Sequence, residues 1–352
     1  MKKMLALLLA LVMVLSLAAC ASSQPAATDA AASTETAETT ETTEAAEPAA
    51  EESAEAPAES GKTYTVGVCQ LVQHEALDAA TQGFVDALKE ELGDAVTVDV
   101  QNASGDSVNC GTIVNGFVSK GVDLIMANAT PALTAAVSAT ADIPILGTSI
   151  TAYGVALDID DFNGTVGGNV SGTSDLADLQ AQAQMILDWF PETKTVGLLF
   201  CSAEPNSRYQ IDEVRKALEA QGVTCEEFAF TDSNDVSSVT QKAADFSDVV
   251  YIPTDNTAAS NTEAIANVLI PAGVPAVCGE EGLCRGCGVA TLSISYYDLG
   301  VTTGKMAAKI LKGEADISEM PVEYTDATPK YNASICDQLG ITPLDGYEAI
   351  EG

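Results

Sequence analysis

The sequence has few basic residues and almost no histidine. Of its 352 residues only 15 are Lys or Arg, against 51 Asp or Glu, which gives a formal net charge of −36. Phosphate backbones and anionic lipid head groups repel such a chain, so the charge argues against nucleic-acid binding. The single histidine, His74, leaves no second imidazole for a His-rich metal site. No hydrolase motif accompanies it, so a ligand contact or a helix cap is favoured over a catalytic base. We predict no catalytic residue, metal or cofactor.

Residues 1–20 have the pattern of an export signal. Two lysines precede an apolar run over 4–17, which is too short for a comfortable transmembrane helix. The run ends in LAAC at 17–20 and resembles a bacterial lipobox, in which Cys20 is acylated and becomes the mature N-terminus. Ordinary cleavage near Ala19 is the alternative. We expect a lipoprotein signal peptide and a protein held by lipid at the outer face of the cell membrane.

Residues 21–61 consist almost entirely of Ala, Thr, Glu, Ser and Pro. They carry ten carboxylates and no Lys or Arg. Because the segment has no aromatic or branched aliphatic residue to bury, it cannot offset the entropy lost on ordering. We predict a disordered acidic tether that holds the folded part away from the membrane.

From residue 62 onward, short apolar runs alternate with helical patterns. Strands separated by helices of ten to fifteen residues indicate βαβ units and a parallel sheet. One such series precedes Gly172 and a similar one follows it. The predicted fold class is therefore α/β, with two doubly wound βα lobes. Ligands of such sheets bind beyond the carboxyl ends of the strands, which places the expected site in a cleft between the lobes.

Short polar side chains follow several of the predicted strands. Hydroxyl and amide groups at helix N-termini suit the binding of a carboxylate, with help from backbone amides and the helix dipole. Two of the acids, Glu204 and Asp255, could meet an ammonium group. The same residue types are also ordinary helix N-caps. For each of them both interpretations stay open.

Several motifs of residues 62–352 occur in the order found in one protein family. They include QLVQHEALDA at 70–79, DVQNASGD at 99–106, NVSGTSD at 169–175, EPNS at 204–207, YIPTDN at 251–256 and YYDLG at 296–300. The chain resembles the bacterial ABC-importer substrate-binding lipoproteins of the tryptophan/tyrosine-binding type. Two positions depart from the family pattern. Glu75 stands where the family usually has Pro, and Ala152-Tyr153-Gly154 replaces an Asp-Pro pair.

The resemblance implies a type I periplasmic-binding-protein fold with three crossovers, near Gly172, Ser295 and Pro321. The first lobe would comprise 62–171 plus 296–320, and the second 172–295 plus 321–352. The helix at 298–312 would pack on the first lobe, and a strand at 322–325 on the second.

The resemblance also implies a function. The protein would be a monomer that captures a small amino acid, expected to be aromatic (Trp, Phe or Tyr), and delivers it to an ABC permease. By position, the residues expected to line the ligand site are Gln73, His74, Thr130, Thr148, Ser174, Asp175, Glu204, Asn206, Ser207, Asp255, Asn256 and Tyr296.

Three alternatives stay open from the sequence alone. The same fold could bind a sugar or a nucleoside, although the strand ends carry few aromatic rings to stack on one. The spacing Cys284-Arg-Gly-Cys287 could serve an envelope thiol oxidoreductase. It lies in what looks like a glycine-rich loop, where a local disulfide or reduced thiols are favoured over a zinc site. A sensor that passes its ligand signal to a membrane kinase is the third.

Overall fold

A computed structural model describes residues 62–350, which form two parallel-stranded sheets flanked by helices. The strands within these residues are β1 (Tyr64–Gln70), β2 (Val96–Asn102), β3 (Leu124–Asn128), β4 (Ile145–Ile150), β5 (Val170–Ser174), β6 (Thr195–Cys201), β7 (Thr224–Phe230), β8 (Val249–Ile252), β9 (Ala276–Cys278), β10 (Ala290–Ser293), β11 (Glu323–Tyr324), β12 (Thr328–Tyr331) and β13 (Glu348–Ala349). The α-helices there are α1 (Glu75–Leu92), α2 (Ser107–Lys120), α3 (Thr130–Ala139), α4 (Tyr153–Ala156), α5 (Leu179–Trp189), α6 (Pro205–Glu219), α7 (Val236–Phe246), α8 (Asn256–Ala259), α9 (Thr262–Ala272), α10 (Glu281–Cys287), α11 (Tyr296–Lys312) and α12 (Ala333–Leu339). Short 3-10 turns occupy Gly93–Ala95 and Ile317–Glu319.

The two sheets repeat one topology. The first has the order β11-β5-β4-β3-β1-β2, and every pair in it is parallel. The second has the order β13-β12-β10-β9-β8-β6-β7, where only the β10–β12 pair is antiparallel. Central strands such as β3, β4 and β8 are buried along their whole length, as expected where helices cover both faces of a parallel sheet. The predicted fold class is therefore confirmed.

Each sheet has an apolar core on both of its faces. We call the first sheet with α1–α4 and α11 the first lobe, and the second sheet with α5–α10 and α12 the second lobe. In the first lobe α1 and α11 pack closely, because Gly83, Gly300 and Gly304 lie at their contact. A Cβ atom at Gly300 would overlap the carbonyl oxygen of Ala80. The helix predicted at 298–312 is thus confirmed as α11, packed on the first lobe.

The chain crosses between the lobes three times, at 175–178, 294–295 and 325–327. The second crossing lies beside Ser295, and the first and third lie a few residues after Gly172 and Pro321. The first crossing comes after residue 174 because Val170–Ser174 form strand β5, which was not predicted. Its polar sequence VSGTS is buried through hydroxyl contacts rather than apolar ones.

The placement of the strand at 322–325 on the second lobe was wrong. Glu323 and Tyr324 of β11 pair with Thr173 and Ser174 of β5, so this strand extends the first sheet. Ser171 Oγ donates to the carbonyl oxygen of Met320 at 3.0 Å and helps to hold the returning chain there. The other lobe bounds remain a prediction. The signal peptide, the tether and Cys20 lie outside the described residues.

The Cys284–Cys287 segment is helical, which corrects the prediction of a loop. Both cysteines lie in α10, whose N-cap Glu280 accepts hydrogen bonds from the backbone nitrogens of Gly282 and Leu283 at 2.6 and 2.5 Å. The eight cysteines within 62–350 are free thiols, and no group of three or more metal-binding side chains occurs in that part of the chain. No helix there is both long enough and apolar enough to span a bilayer.

Candidate functional site

A small cavity lies between the lobes, where strands of both sheets end. Residues after β1, β4 and β5 line it from the first lobe, and residues after β6, β8 and β9 from the second, with Tyr296 at the second crossing. Its free volume is about 10 Å³, close to the space of one water molecule. An amino acid is far larger, so the lobes must part to admit one.

Half of the predicted site residues line this cavity. They are His74, Asp175, Asn206, Asp255, Asn256 and Tyr296. Gln73 lies instead in a neighbouring chamber. The remaining five are buried outside the lining, and they are Thr130, Thr148, Ser174, Glu204 and Ser207. Contact between any of the twelve and a ligand stays a prediction.

The Glu204 carboxylate is fully engaged in holding α8. Its Oε2 accepts from the backbone nitrogen and side-chain amide of Asn256 at 3.0 and 2.7 Å, and from Asn206 Nδ2 at 3.2 Å. Its Oε1 accepts from the backbone nitrogen and hydroxyl of Thr257 at 2.9 and 2.8 Å. Five donors satisfy both oxygens. Glu204 therefore positions Asn256 at the cavity and has no lone pair left for an ammonium group.

Asp255 joins two elements of the second lobe at the cavity wall. Its Oδ2 accepts from the backbone nitrogen of Cys201 at 2.6 Å, at the end of β6, and its Oδ1 caps α8 through Ala258 at 2.8 Å. Burial, with the nearby Glu204 charge as a second cause, raises the pKa of Asp255. The carboxyl group is both a structural cap and part of the lining.

Glu280 is a site residue that the sequence prediction missed. It follows β9 by two residues and lines the cavity with its buried side chain while capping α10. Burial raises its pKa to about 7, even though two backbone N–H groups donate to the carboxylate. The rule that ligands bind beyond strand ends would have found it, but the residues after β9 were not considered.

Asp175 and Tyr296 meet where the first and second crossings pass each other. The Tyr296 hydroxyl donates to Asp175 Oδ2 at 2.9 Å. Asp175 Oδ1 is buried and has no partner of strict hydrogen-bonding geometry among the described residues, although the Thr151 side chain lies close enough to lower the pKa of Asp175. Burial raises the pKa of Asp175, more than the Tyr296 hydrogen bond lowers it. An acceptor oxygen at the cavity is thus left for another donor.

Two further buried polar atoms on lining residues lack a partner within 62–350. They are Asn206 Oδ1 and Ser149 Oγ. Asn206 is held by its Nδ2, which donates to the carbonyl oxygen of Thr254 at 3.1 Å. Ser149 has a positive φ of 55°, a strained conformation for a residue with a side chain. Buried polar groups are normally paired, so three unpaired atoms on one cavity indicate a site prepared for a polar ligand.

Thr148 of strand β4 lies outside the cavity lining, whereas Ser149 and Thr151 belong to it. The strand runs to Ile150, three residues beyond its predicted end. The ladder with β5 shifts its register between Gly147 and Ile150, and Ser149 in this irregular stretch lines the cavity while Thr148 is buried elsewhere. Thr148 Oγ1 lies 3.1 Å from Thr173 Oγ1 and 3.2 Å from Thr303 Oγ1, in a hydroxyl cluster that fastens α11 to the sheet.

His74 forms the wall between the cavity and a larger outer chamber. Its Nε2 lies 3.2 Å from Asn256 Oδ1 across the cleft, and burial lowers the pKa of its imidazole despite nearby acids. The outer chamber has a free volume of about 380 Å³ and shares His74, Ala259 and Glu280 with the cavity. The chamber therefore lies directly outside the cavity.

Comparison with known proteins is consistent with this geometry. Residues 65–346 match the family described as ABC transporter substrate binding protein. The chain is 32% identical over 276 residues to a tyrosine-binding protein of Clostridioides difficile, covering 77% of this chain and 79% of that one.

Two solved structures of similar identity differ in how closely they match this one. An ABC domain in complex with L-Trp from Streptococcus pneumoniae is 32% identical, with 82% of this chain and 100% of that chain covered and a TM-score of 0.78. A ligand-free, open substrate-binding protein with adhesive properties from Clostridium difficile is 33% identical, with coverages of 82% and 99%, but its TM-score is 0.63. At equal identity, the arrangement of the present lobes is closer to the L-Trp complex.

These findings confirm the family and the type I periplasmic-binding-protein fold predicted from the motifs. Such a protein acts outside the cytoplasm with a permease as its partner, and substrate binding is a non-enzymatic role. Cys284 and Cys287 are buried, which gives a dithiol substrate no access to them. This chain belongs to the substrate-binding proteins of ABC transporters.

Proposed function

We propose that this protein captures an aromatic amino acid between its lobes and delivers it to the permease. The observation that carries the proposal is the pair of unpaired acceptors, Asp175 Oδ1 and Asn206 Oδ1, on opposite lobes of one cavity. Asp255 and Glu280 add two more carboxyl groups, and no Lys or Arg of residues 62–350 lines this cavity. An ammonium group, with three N–H donors, complements such a surface.

The remaining lining suits the rest of an amino acid. Ser149 Oγ supplies a hydroxyl for the carboxylate, and Leu77, Ala259 and the ring of Tyr296 supply apolar surface for a side chain. The two relatives named above for tyrosine and L-Trp support an aromatic side chain. A sugar has no positive charge to meet the carboxyl groups, which makes it the weaker candidate.

A thermal-shift screen of the full-length protein tests the proposal. The panel contains the twenty amino acids with common sugars and nucleosides. A ligand at about a hundred times its dissociation constant stabilises the folded state by roughly 2.7 kcal/mol. We expect shifts with Trp, Tyr or Phe and none with sugars. A shift only with sugars or nucleosides would contradict the proposal.

We also propose that the protein is a monomer held by lipid at Cys20. The sequence at 17–20 and the acidic segment after it support the anchor. A Cys20→Ser variant should appear in the medium or the periplasmic fraction instead of the membrane fraction. Unchanged membrane association of that variant would argue against acylation.

A further inference from the structure

Two consecutive residues at the start of α1 reach across the cleft. His74 contacts Asn256 of the second lobe, as described above, and Glu75 Oε1 lies 3.1 Å from a terminal nitrogen of Arg285 in α10. Both Glu75 and Arg285 also line the outer chamber. The pair thus joins the two lobes at the rim of the chamber that leads to the cavity.

We propose that the Glu75–Arg285 ion pair is a latch that holds the cleft closed and slows the release of ligand. Since the cavity has too little free space for an amino acid to pass with the lobes together, every entry and exit must separate its walls. His74 and Glu280, which separate the cavity from the chamber, belong to opposite lobes. Parting them also parts Glu75 from Arg285.

Arg285, the second-lobe residue of the latch, is held in place by contacts within its own lobe. Arg285 is bound by Glu281 Oε1 at 2.8 Å, one turn earlier in α10, and Glu281 Oε2 is in turn bound by Lys330 Nζ at 2.6 Å. These contacts lie within one lobe and survive opening. A guanidinium that is fixed beforehand loses little side-chain freedom when Glu75 arrives.

Glu75, the first-lobe residue of the latch, carries its negative charge at a favourable position. Glu75 is the first residue of α1, where the helix dipole stabilises a negative charge in both states. Its side chain is 51% exposed and that of Arg285 37%, so water and salt weaken the pair. Exposed pairs of this kind change an equilibrium by about two- to fivefold. An effect of this size changes the rate of ligand release and still lets the cleft open.

The test is a double-mutant cycle on the full-length protein with Glu75→Gln, Arg285→Gln and the double variant. Glu91→Gln is the matched control, because it lies at the other end of α1 and loses an ion pair with Lys312 (2.7 Å) inside the first lobe. The dissociation rate of the amino acid found in the screen is measured by stopped flow. Hydrogen exchange of segments 73–80 and 280–287 is measured without ligand.

We expect each single variant to release ligand about two- to fivefold faster and to exchange faster in both segments, with Glu91→Gln unchanged. The double variant should be no faster than the singles, because either change already breaks the pair. Unchanged rates and exchange, or effects that multiply in the double variant, would overturn the latch. The measurement of the dissociation rate rests on the proposed function, whereas the measurement of hydrogen exchange does not. If no amino acid binds, that function fails and exchange alone decides on the latch.

Discussion

The hydroxyl of Tyr296 donates a 2.9 Å hydrogen bond to Asp175 Oδ2, and so ties the first crossing between the lobes to the second. Both residues are buried at the cavity. The bond leaves Asp175 Oδ1 as the unpaired acceptor of the carboxyl group. We interpret this pair as the device that orients Asp175 toward the ammonium group of the ligand.

Replacing Tyr296 by Phe should weaken amino-acid binding by about five- to a hundredfold. The change removes a donor from a buried carboxyl group, which costs about 1–3 kcal/mol. Isothermal calorimetry measures the affinity. Tyr297→Phe is the control, because the neighbouring hydroxyl donates to Asp86 at the surface, at 3.2 Å. Equal losses in the two variants would show that the Asp175 contact has no special role.

Replacing Glu204 by Gln should lower the free energy of unfolding by about 2–4 kcal/mol. The side-chain amide nitrogen of Gln would replace one carboxylate oxygen of Glu204. That nitrogen cannot accept hydrogen bonds, so the buried N–H groups that now donate to this oxygen would lose their acceptor. Urea denaturation measures the change, with the exposed Glu226→Gln as a control expected within about 0.5 kcal/mol. The contrary result would be a Glu204→Gln protein of unchanged stability that binds amino acids weakly and binds their deaminated analogues normally. That result would show that Glu204 contacts the ammonium group of the ligand.

The unliganded protein should lose stability as the pH rises from about 4.5 to 7. Glu280 has its pKa raised from 4.5 to about 7 by burial, so the folded state binds more protons than the unfolded state across this interval. The free energy of unfolding therefore falls with pH, by at most about 3 kcal/mol from this group. Asp255 and Asp175, whose pKa values are also raised, act in the same direction. His74, whose pKa is lowered by burial, opposes them below about pH 6.5.

Denaturation at pH 5 and pH 8 tests this expectation, and Glu280→Gln should reduce the difference between them. The same group predicts a proton change on binding. An ammonium group near Glu280 would favour its ionised form, so binding at pH 7 should release up to about half a proton from this residue. Calorimetry in buffers of different ionisation enthalpy measures the release. Proton uptake, or a Glu280→Gln protein with an identical pH profile, would contradict the assignment.

Replacing Gly300 by Ala should destabilise the first lobe by about 1–3 kcal/mol or more. The added methyl group would overlap the carbonyl oxygen of Ala80 where α11 meets α1. Gly116→Ala in α2 is the matched control, because nothing lies within 4 Å of its added Cβ. That change should stabilise the protein by about 0.5–1 kcal/mol through helix propensity. Thermal denaturation that ranks the two variants in the reverse order would disprove this view of the α1–α11 contact.

The sequence predicted the fold well where apolar runs mark the strands. In β1 the buried residues include two Val, and in β6 they include Val, Leu and Phe. The prediction failed at β5, because its buried Ser and Thr side chains are paired to Thr148 of β4, to Thr303 of α11 and to main-chain carbonyl oxygens. It also failed at α10, where glycines suggested a loop but the Glu280 cap begins a helix. Partners distant in sequence decide the first case, and a local N-cap decides the second.

The site was predicted in outline but not in detail. Strand ends pointed to the correct edge of each sheet, since parallel topology brings those ends together. Which side chain faces the cavity depends on where a strand stops, and β4 runs three residues beyond its predicted end, where Ser149 lines the cavity. The five donors to the Glu204 carboxylate could not be predicted, because a carboxylate that binds an ammonium group and one that accepts from backbone and side-chain donors look alike in sequence.

The most direct test of the central claim is calorimetric titration of the full-length protein with L-tryptophan and with indole-3-propionate, its deaminated analogue. Both share the ring and the carboxylate, so they differ only in the ammonium group that Asp175, Asn206 and Glu280 are assigned to bind. We expect L-tryptophan, or whichever aromatic amino acid the screen identifies, to bind at least about a hundredfold more tightly than its analogue. Equal affinity for the two would contradict the account.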